Sequence, residues 1–167
     1  MLKLVENGRG LTRGVPRWIW RAPIWLYRSG LGWLLGHRFL LLVHTGRKTG
    51  MSHQTVLEVV RYEAVSRRCV VVSGFGERAS WYRNLRVRPR ARICLAGRWL
   101  DVVARPLSAQ DTAAELRAYA HDHPLAARVM ARLLGLRLDS LESAPLDALP
   151  AIPAVELLPS PETNEEA

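Results

Sequence analysis

Five consecutive residues, Gly46-Arg47-Lys48-Thr49-Gly50, are the densest chemistry in this 167-residue chain. Glycines let a backbone turn tightly and expose its N–H groups to a ligand. Arg47 offers a planar fork of donors for carboxylate or phosphate, and Lys48 a compact positive charge. Thr45 and Thr49 add hydroxyl donors. The set suits an anionic group. It is not a nucleotide-binding P-loop, because the GxxxxGK[ST] spacing is absent. Taken alone, it reads first as a solvated hairpin turn with ordinary surface charges. Lys48 stands out because 22 of the 24 basic residues are Arg, and the one other Lys is Lys3.

Two further segments carry candidate groups. Ser73-Gly74-Phe75-Gly76 ends an apolar run, and such a turn lets a flat ring lie against backbone; a plain turn is the alternative. Ser80-Trp81-Tyr82-Arg83-Asn84-Leu85 puts polar and aromatic groups on a short helix whose N-terminus faces an anion favourably. Core packing explains Trp81 and Leu85 without a ligand, but explains Arg83 and Asn84 less well. The histidines, at 37, 44, 53, 121 and 123, show no ligand spacing, so no metal site is expected. No GxSxG or Cys–His arrangement supports a hydrolase. With no acid–base or nucleophile set visible, catalysis has to come from a bound cofactor. Cys69 and Cys94 lie in apolar runs without CxxC spacing and read as reduced, buried thiols.

The elements that must position these groups follow from periodicity and turn chemistry. Arg38 to His44 contains the apolar run FLLLV and reads as a strand. Ser52 to Tyr62 reads as a second, with Thr55, Leu57, Val59 and Arg61 alternating with Val56, Glu58, Val60 and Tyr62. Arg67 to Ser73 is a third. Arg78 to Val87 has helical spacing, with Ser80 as candidate N-cap and Pro89 beyond its end. Ala91 to Leu95 and Trp99 to Arg105 form a hairpin through Ala96-Gly97-Arg98. Ser108 caps a helix through Ala120, with Asp111 in its first turn. Pro124 restarts a helix to about Leu136, and Ala154 to Leu158 is a last short strand. Strands that follow one another through short turns imply an α+β, mainly β, antiparallel sheet curled into a barrel, with helices at its ends.

Charge is polarised along the chain. Residues 1–50 hold nine Lys/Arg against one Glu, residues 51–106 eleven against four, and residues 107–167 four against ten, for a net +9. The first two thirds should attract anions. No recognised nucleic-acid-binding motif accompanies the charge, so no nucleic-acid partner is expected.

In order along the chain, HTGRKTG (44–50), VVVSGFGERASWYRNL (70–85) and Val87-Arg88-Pro89 resemble the deazaflavin (coenzyme F420)-dependent nitroreductase and quinone-reductase family. The resemblance covers residues 38–106 well and the N-terminal helix more loosely. It implies an FMN-binding-like split β-barrel and non-covalent F420, whose phosphate and oligoglutamate tail suit the basic part of the chain; FMN is the weaker alternative. It implies hydride transfer from reduced F420 to a small, electron-poor acceptor such as a quinone or nitro compound. Carried over by motif, Arg47, Lys48 and Thr49 contact the phosphate and tail. His53, Gln54, Thr55, Val56, Leu57 and Glu58 line the cofactor. Ser73, Gly74, Phe75 and Gly76 approach the ring, and Ser80, Trp81, Tyr82, Arg83 and Asn84 supply the helix side. Some relatives use Tyr residues in the late helical region for the acceptor. Here that region reads AYAHDHP, with Tyr119 and His121 as the candidates.

The expected organisation is a flexible arm over residues 1–16, a single domain over 17–158 and an acidic tail over 159–167. Residues 17–35 form a basic, Trp-rich segment that either covers the core or lies on an anionic membrane surface. No secretory signal stands out, and no stretch reaches the roughly 18–20 apolar residues that span a bilayer. A cytoplasmic protein, peripheral at the inner face of the membrane through residues 17–35, is the expectation. Split barrels often pair, so a homodimer is compatible with the sequence.

Overall fold

The structure, a computed structural model, describes residues 36–74, 76–125, 128 and 152–160. The Trp-rich segment 17–35, the tail beyond residue 160 and most of the helix expected over 124–136 lie outside the described residues.

Six strands form one antiparallel sheet: β1 (Phe39–Thr45), β2 (Ser52–Glu63), β3 (Arg68–Val72), β4 (Arg90–Leu95), β5 (Arg98–Pro106) and β6 (Ala154–Pro159). They close in the order β1-β2-β3-β6-β5-β4, with β4 pairing back onto β1. The fold is the split-barrel, mainly β architecture expected above. Closure explains the apolar runs: a barrel has an inner face to fill and leaves no open edge.

Register decides which residues face inward. Leu40 pairs with Leu57 and Leu95, and Leu42 with Thr55 and Ile93. Leu40, Leu42, Leu57, Ile93 and Leu95 belong to the buried core, with Val71, Val102 and Leu157 from the other strands. A bulge between Val59 and Arg61 breaks the simple alternation. Strict alternation puts Arg61 on the face of Leu57 and Val59. The extra residue at Val60 turns Arg61 outward to pair with Glu115 and lets Tyr62 pack against the core instead.

Two α-helices and a single 3-10 turn at Gly76–Arg78 join these strands among the described residues. α1 (Ser80–Val87) buries Trp81, Tyr82, Asn84 and Leu85. It connects the end of β3 to the start of β4 and fills the barrel mouth where β1 ends. Its N-cap is Ala79, without a side-chain cap, so Ser80 is the first helical residue and not the cap expected from the sequence. The apolar stripe of α1, and not a cap, holds this short helix in place. α2 (Ala109–Asp122) packs on the outer wall, where Leu116, Tyr119 and Ala120 meet Val60 and Val70. Ser108 caps it as expected: its Oγ accepts from Asp111 N–H at 3.0 Å and donates to the Asp111 carboxylate at 2.6 Å.

Arg68 ties the outer wall together. Its guanidinium meets Glu63 on β2, Glu115 on α2 and Glu156 on β6 at 2.9, 3.1 and 2.9 Å. Burial opposes its charge, but the three carboxylates outweigh burial and raise its pKa. β6 runs through Pro159, and Ser160 is buried with its N–H on Asp101 O, so the barrel extends two residues into the segment expected to be tail. Both cysteines are free and buried; burial pushes the Cys69 thiol up to about 12.

Candidate functional site

The Gly46–Gly50 turn joins β1 to β2 at the mouth that α1 fills. Gly46 N–H donates to Met51 O and Gly50 N–H to Gly46 O, which closes the turn. Gly50 takes a φ of +68°, in the left-handed region that favours glycine. A Cβ on Gly46 would sit 2.8 Å from His53 Nε2 and 2.9 Å from Thr49 Oγ1, so any larger residue must displace these two side-chain ends. Lys48 and Thr49 are exposed, and Thr49 Oγ1 accepts from Met51 N–H.

Asn84 links this turn to α1. Its Oδ1 accepts from Arg47 N–H at 3.1 Å and from Arg47 Nη1 at 2.9 Å. Its Nδ2 lies 3.1 Å from His44 Nδ1. His44 points inward from β1 and is 5% exposed. It pairs in register with His53, and the two rings stack with centroids 5.7 Å apart. Burial, with a smaller contribution from His53, lowers the His44 pKa to about 4. His44 is therefore neutral at ordinary pH.

The surroundings of the turn are basic. Arg88 Nη1 lies 3.9 Å from the position a Gly50 Cβ would take. Arg78, Arg83 and Arg86, on and before α1, are exposed, and Glu77 is the one acidic residue between positions 74 and 90. Arg47, Lys48 and Thr49, with Arg88 alongside and no carboxylate in the turn, are a donor set that fits an anionic ligand end.

The structure brings together some sequence-singled residues and separates others. Arg47, Asn84 and His53 meet at the turn. Thr55 and Leu57 face the barrel interior with Leu42 and Leu40, while Gln54, Val56 and Glu58 face the opposite side. Trp81 and Tyr82 are core residues, whereas Ser80 and Arg83 are exposed. Ser73 is buried, and its Oγ donates to Gly76 O at 2.7 Å, so it fixes the turn that leads into α1. Gly74 is exposed; Phe75 lies outside the described residues.

Tyr119 and His121 do not come near the turn. Tyr119 is buried against the outer wall and donates its hydroxyl to Glu58 Oε1 at 2.6 Å. Burial, then Glu58, raises its pKa. Glu58 is six residues along β2 from Ser52, or roughly 20 Å at strand rise. His121 is exposed on the same helix.

The sequence set Asn84 on the helix side of the cofactor but not against Arg47, and it assigned Arg88 no role. Asn84 had a signal: it lies three residues after Trp81, on the buried stripe of α1. Arg88 had none, since its approach to Gly50 depends on how α1 seats in the mouth.

Barrel, capping helix and basic turn define a split-barrel protein. A family model described as F420H(2)-dependent quinone reductase matches residues 20–131, more than half of the chain. The chain belongs to that family and is a reductase dependent on reduced coenzyme F420. Among solved structures it is similar to an F420-H2-dependent reductase, at 20% identity and TM-score 0.51, over 74% of this chain and 96% of that one. It is also similar to a chain solved as a domain-swapped dimer, at 18% identity and TM-score 0.53, over 84% and 96%. HutZ, a heme storage protein from Vibrio cholerae, shares the fold at 13% identity and TM-score 0.52, over 81% and 90%. At such identities these neighbours speak for the fold.

Proposed function

We propose that the protein holds the phosphate and acidic tail of F420 at Arg47, Lys48 and Thr49, and reduces a small electron-poor acceptor, a quinone or nitro compound. The observation that carries this is the turn itself. Lys48 and Thr49 are exposed, the half-buried Arg47 is fixed to α1 through Asn84, and the turn is free of carboxylates. The bound cofactor supplies the hydride. The chain's own residues supply charge complementarity at the turn and a rigid wall made of β2 and α1.

In the proposed arrangement His53 lies beside the turn, Thr55 follows it along β2, and Ser73-Gly74 marks the ring end. Gln54, Val56 and Glu58 face outward from β2, away from the packed core, and in this reading line the cofactor from that face. Pairing of two chains belongs to the proposal, since one structural neighbour is a domain-swapped dimer; sedimentation equilibrium reads it. Docking on an anionic membrane through residues 17–35 also belongs to it, since a quinone resides in the bilayer. Deleting residues 1–35 should lower sedimentation with anionic vesicles.

The decisive experiment is quenching of F420 fluorescence by the purified protein, run beside FMN. Micromolar or tighter F420 binding, with FMN weaker, is expected. Arg47→Ala combined with Lys48→Ala should weaken binding by about a hundredfold at low salt, and the loss should shrink at high salt as exposed charges are screened. No quenching at high cofactor concentration would sink the proposal; unchanged affinity in the double variant would move the tail site elsewhere.

A further inference from the structure

Asn84 occupies a position where an apolar side chain is the ordinary choice. It shares the buried stripe of α1 with Trp81 and Leu85 and is 4% exposed. A buried amide is costly unless both of its ends are paired. Both are, and the partners are not interchangeable. Oδ1 faces two donors, the backbone N–H and Nη1 of Arg47. A flipped amide would set its NH2 against both of them. The NH2 therefore points to His44, whose Nδ1 must accept. That places the imidazole proton on Nε2 and requires the ring to be neutral.

Each charged or titratable group around His44 fits this state. From β2 the ring meets His53, which disfavours a second positive charge. From β4 its register partner is the apolar Ala91. From α1 it meets the neutral Asn84, which in turn carries the cationic Arg47. The acidic residues of these elements, Glu58 and Glu63 on β2, are engaged by Tyr119 and Arg68 and do not face His44.

The consequence falls on Arg47. One oxygen holds both its backbone and its guanidinium, which restricts a side chain that otherwise has many rotamers. One guanidinium N–H group is committed to Asn84, and most of the five donors remain for a ligand. A side chain ordered before binding loses less entropy when an anion arrives.

We propose that Asn84 is a positioning residue for anion binding: kept in one orientation by neutral His44, it presets Arg47 for the phosphate or carboxylate that the turn takes. It acts through Arg47 and does not touch the ligand. The inference rests on the reading of the turn as the holder of the cofactor's acidic end.

A double-variant cycle tests it, with F420 affinity read by fluorescence quenching. Asn84→Leu should weaken binding about tenfold, the scale of one or two lost charge-assisted hydrogen bonds. In an Arg47→Gln background the same change should cost less than about twofold, because the group it positions is gone. In a Lys48→Ala background it should again cost about tenfold. An equal loss in the Arg47→Gln background would overturn the proposal, since Asn84 would then act through the general integrity of the mouth. Rescue provides a milder arm should Asn84→Leu fail to fold. His44→Leu removes the acceptor and should weaken binding, whereas His44→Asn puts a carbonyl oxygen near the Nδ1 position and should restore affinity to within about threefold. Equal weakness in both His44 variants would also overturn it.

A ligand-free readout separates the clamp from the cofactor reading. Slow guanidinium rotation should give Arg47 resolved Nη proton signals in the wild type, lost in Asn84→Leu. Freely rotating Arg47 in the wild type sinks the clamp whatever binds. If the wild type does not bind F420, the cofactor reading fails, and the same variants titrated with inorganic pyrophosphate decide whether Asn84 presets Arg47 for anions.

Discussion

At the scale of single residues, the site depends on one histidine remaining uncharged. His44 has a folded-state pKa of about 4 against 6.5 for a free imidazole, with burial as the main cause. The lowered value means that the unfolded chain takes up a proton near pH 6.5 while the folded chain resists until about pH 4. Stability associated with neutral His44 is therefore complete above pH 6.5 and is lost as pH falls through this window. That lowering corresponds to about 3 kcal/mol at its limit. Denaturant midpoints for wild type and His44→Asn should converge as pH falls from 7 to 4, because the Asn variant lacks this titration. Parallel curves across the window would show that His44 titrates normally in the folded protein.

Gly46 makes the complementary case for space. Its missing side chain lets His53 Nε2 and Thr49 Oγ1 approach within 3 Å of where a Cβ would be. Gly46→Ala should displace both groups and weaken F420 binding by about tenfold, with an unfolding free energy changed by no more than about 1 kcal/mol, since the clash is with side-chain ends and not backbone. Quenching and denaturant titrations on the same preparation separate the two effects.

Elements obey local turn chemistry in most places, and one place where they do not offers a test. β4 and β5 are joined by Ala96-Gly97, both at positive φ, 48° and 82°, with Leu95 paired to Arg98. Two central residues at positive φ give the tight hairpin that matches strand twist, and Asn-Gly is its favoured sequence. Alanine at the first position pays for its Cβ in the left-handed region. Ala96→Asn should stabilise the protein by about 0.5–1 kcal/mol, measured by chemical denaturation, without changing cofactor affinity. A destabilised variant would mean that Ala96 makes contacts more valuable than the strain it bears.

The strands were legible because each is a short apolar or alternating run bounded by turn residues, and α2 was legible because Ser108 and Asp111 form a reciprocal cap. Arg61 shows what alternation misses: an inserted residue at Val60 flips the pattern, and the charge at a nominally inward position was its one trace. Asn84 shows a different limit. Helical period places it inside, but its partners lie 37 and 40 positions away, and no local pattern encodes such a pairing. The surroundings of Tyr119 were illegible for a similar reason, since its hydroxyl bonds Glu58 across 61 positions.

At the scale of the whole molecule, closure is the feature on which everything else rests. The chain's first described strand and the strand nearest its end belong to the same ring, and β6 alone bridges β3 and β5. It contributes Val155 and Leu157 to the core, Ala154 to the packing under α2, and Glu156 to the ion pairs of Arg68. Most of these contacts join residues far apart in sequence, so the ring forms only after large loops close. Ending the chain at residue 151 would leave β3 and β5 with unpaired edges and open the core to water. Such edges recruit other strands. The truncated protein should therefore be oligomeric or aggregated by size-exclusion chromatography, with loss of the cooperative unfolding transition. Adding a synthetic peptide spanning residues 152–160 should restore part of it, because that peptide carries the whole closing strand and the buried Ser160 anchor. A monomeric, cooperatively folded truncation would show that five strands close without β6. The site at the opposite seam would then be independent of it, and F420 affinity in the truncation would match the intact chain.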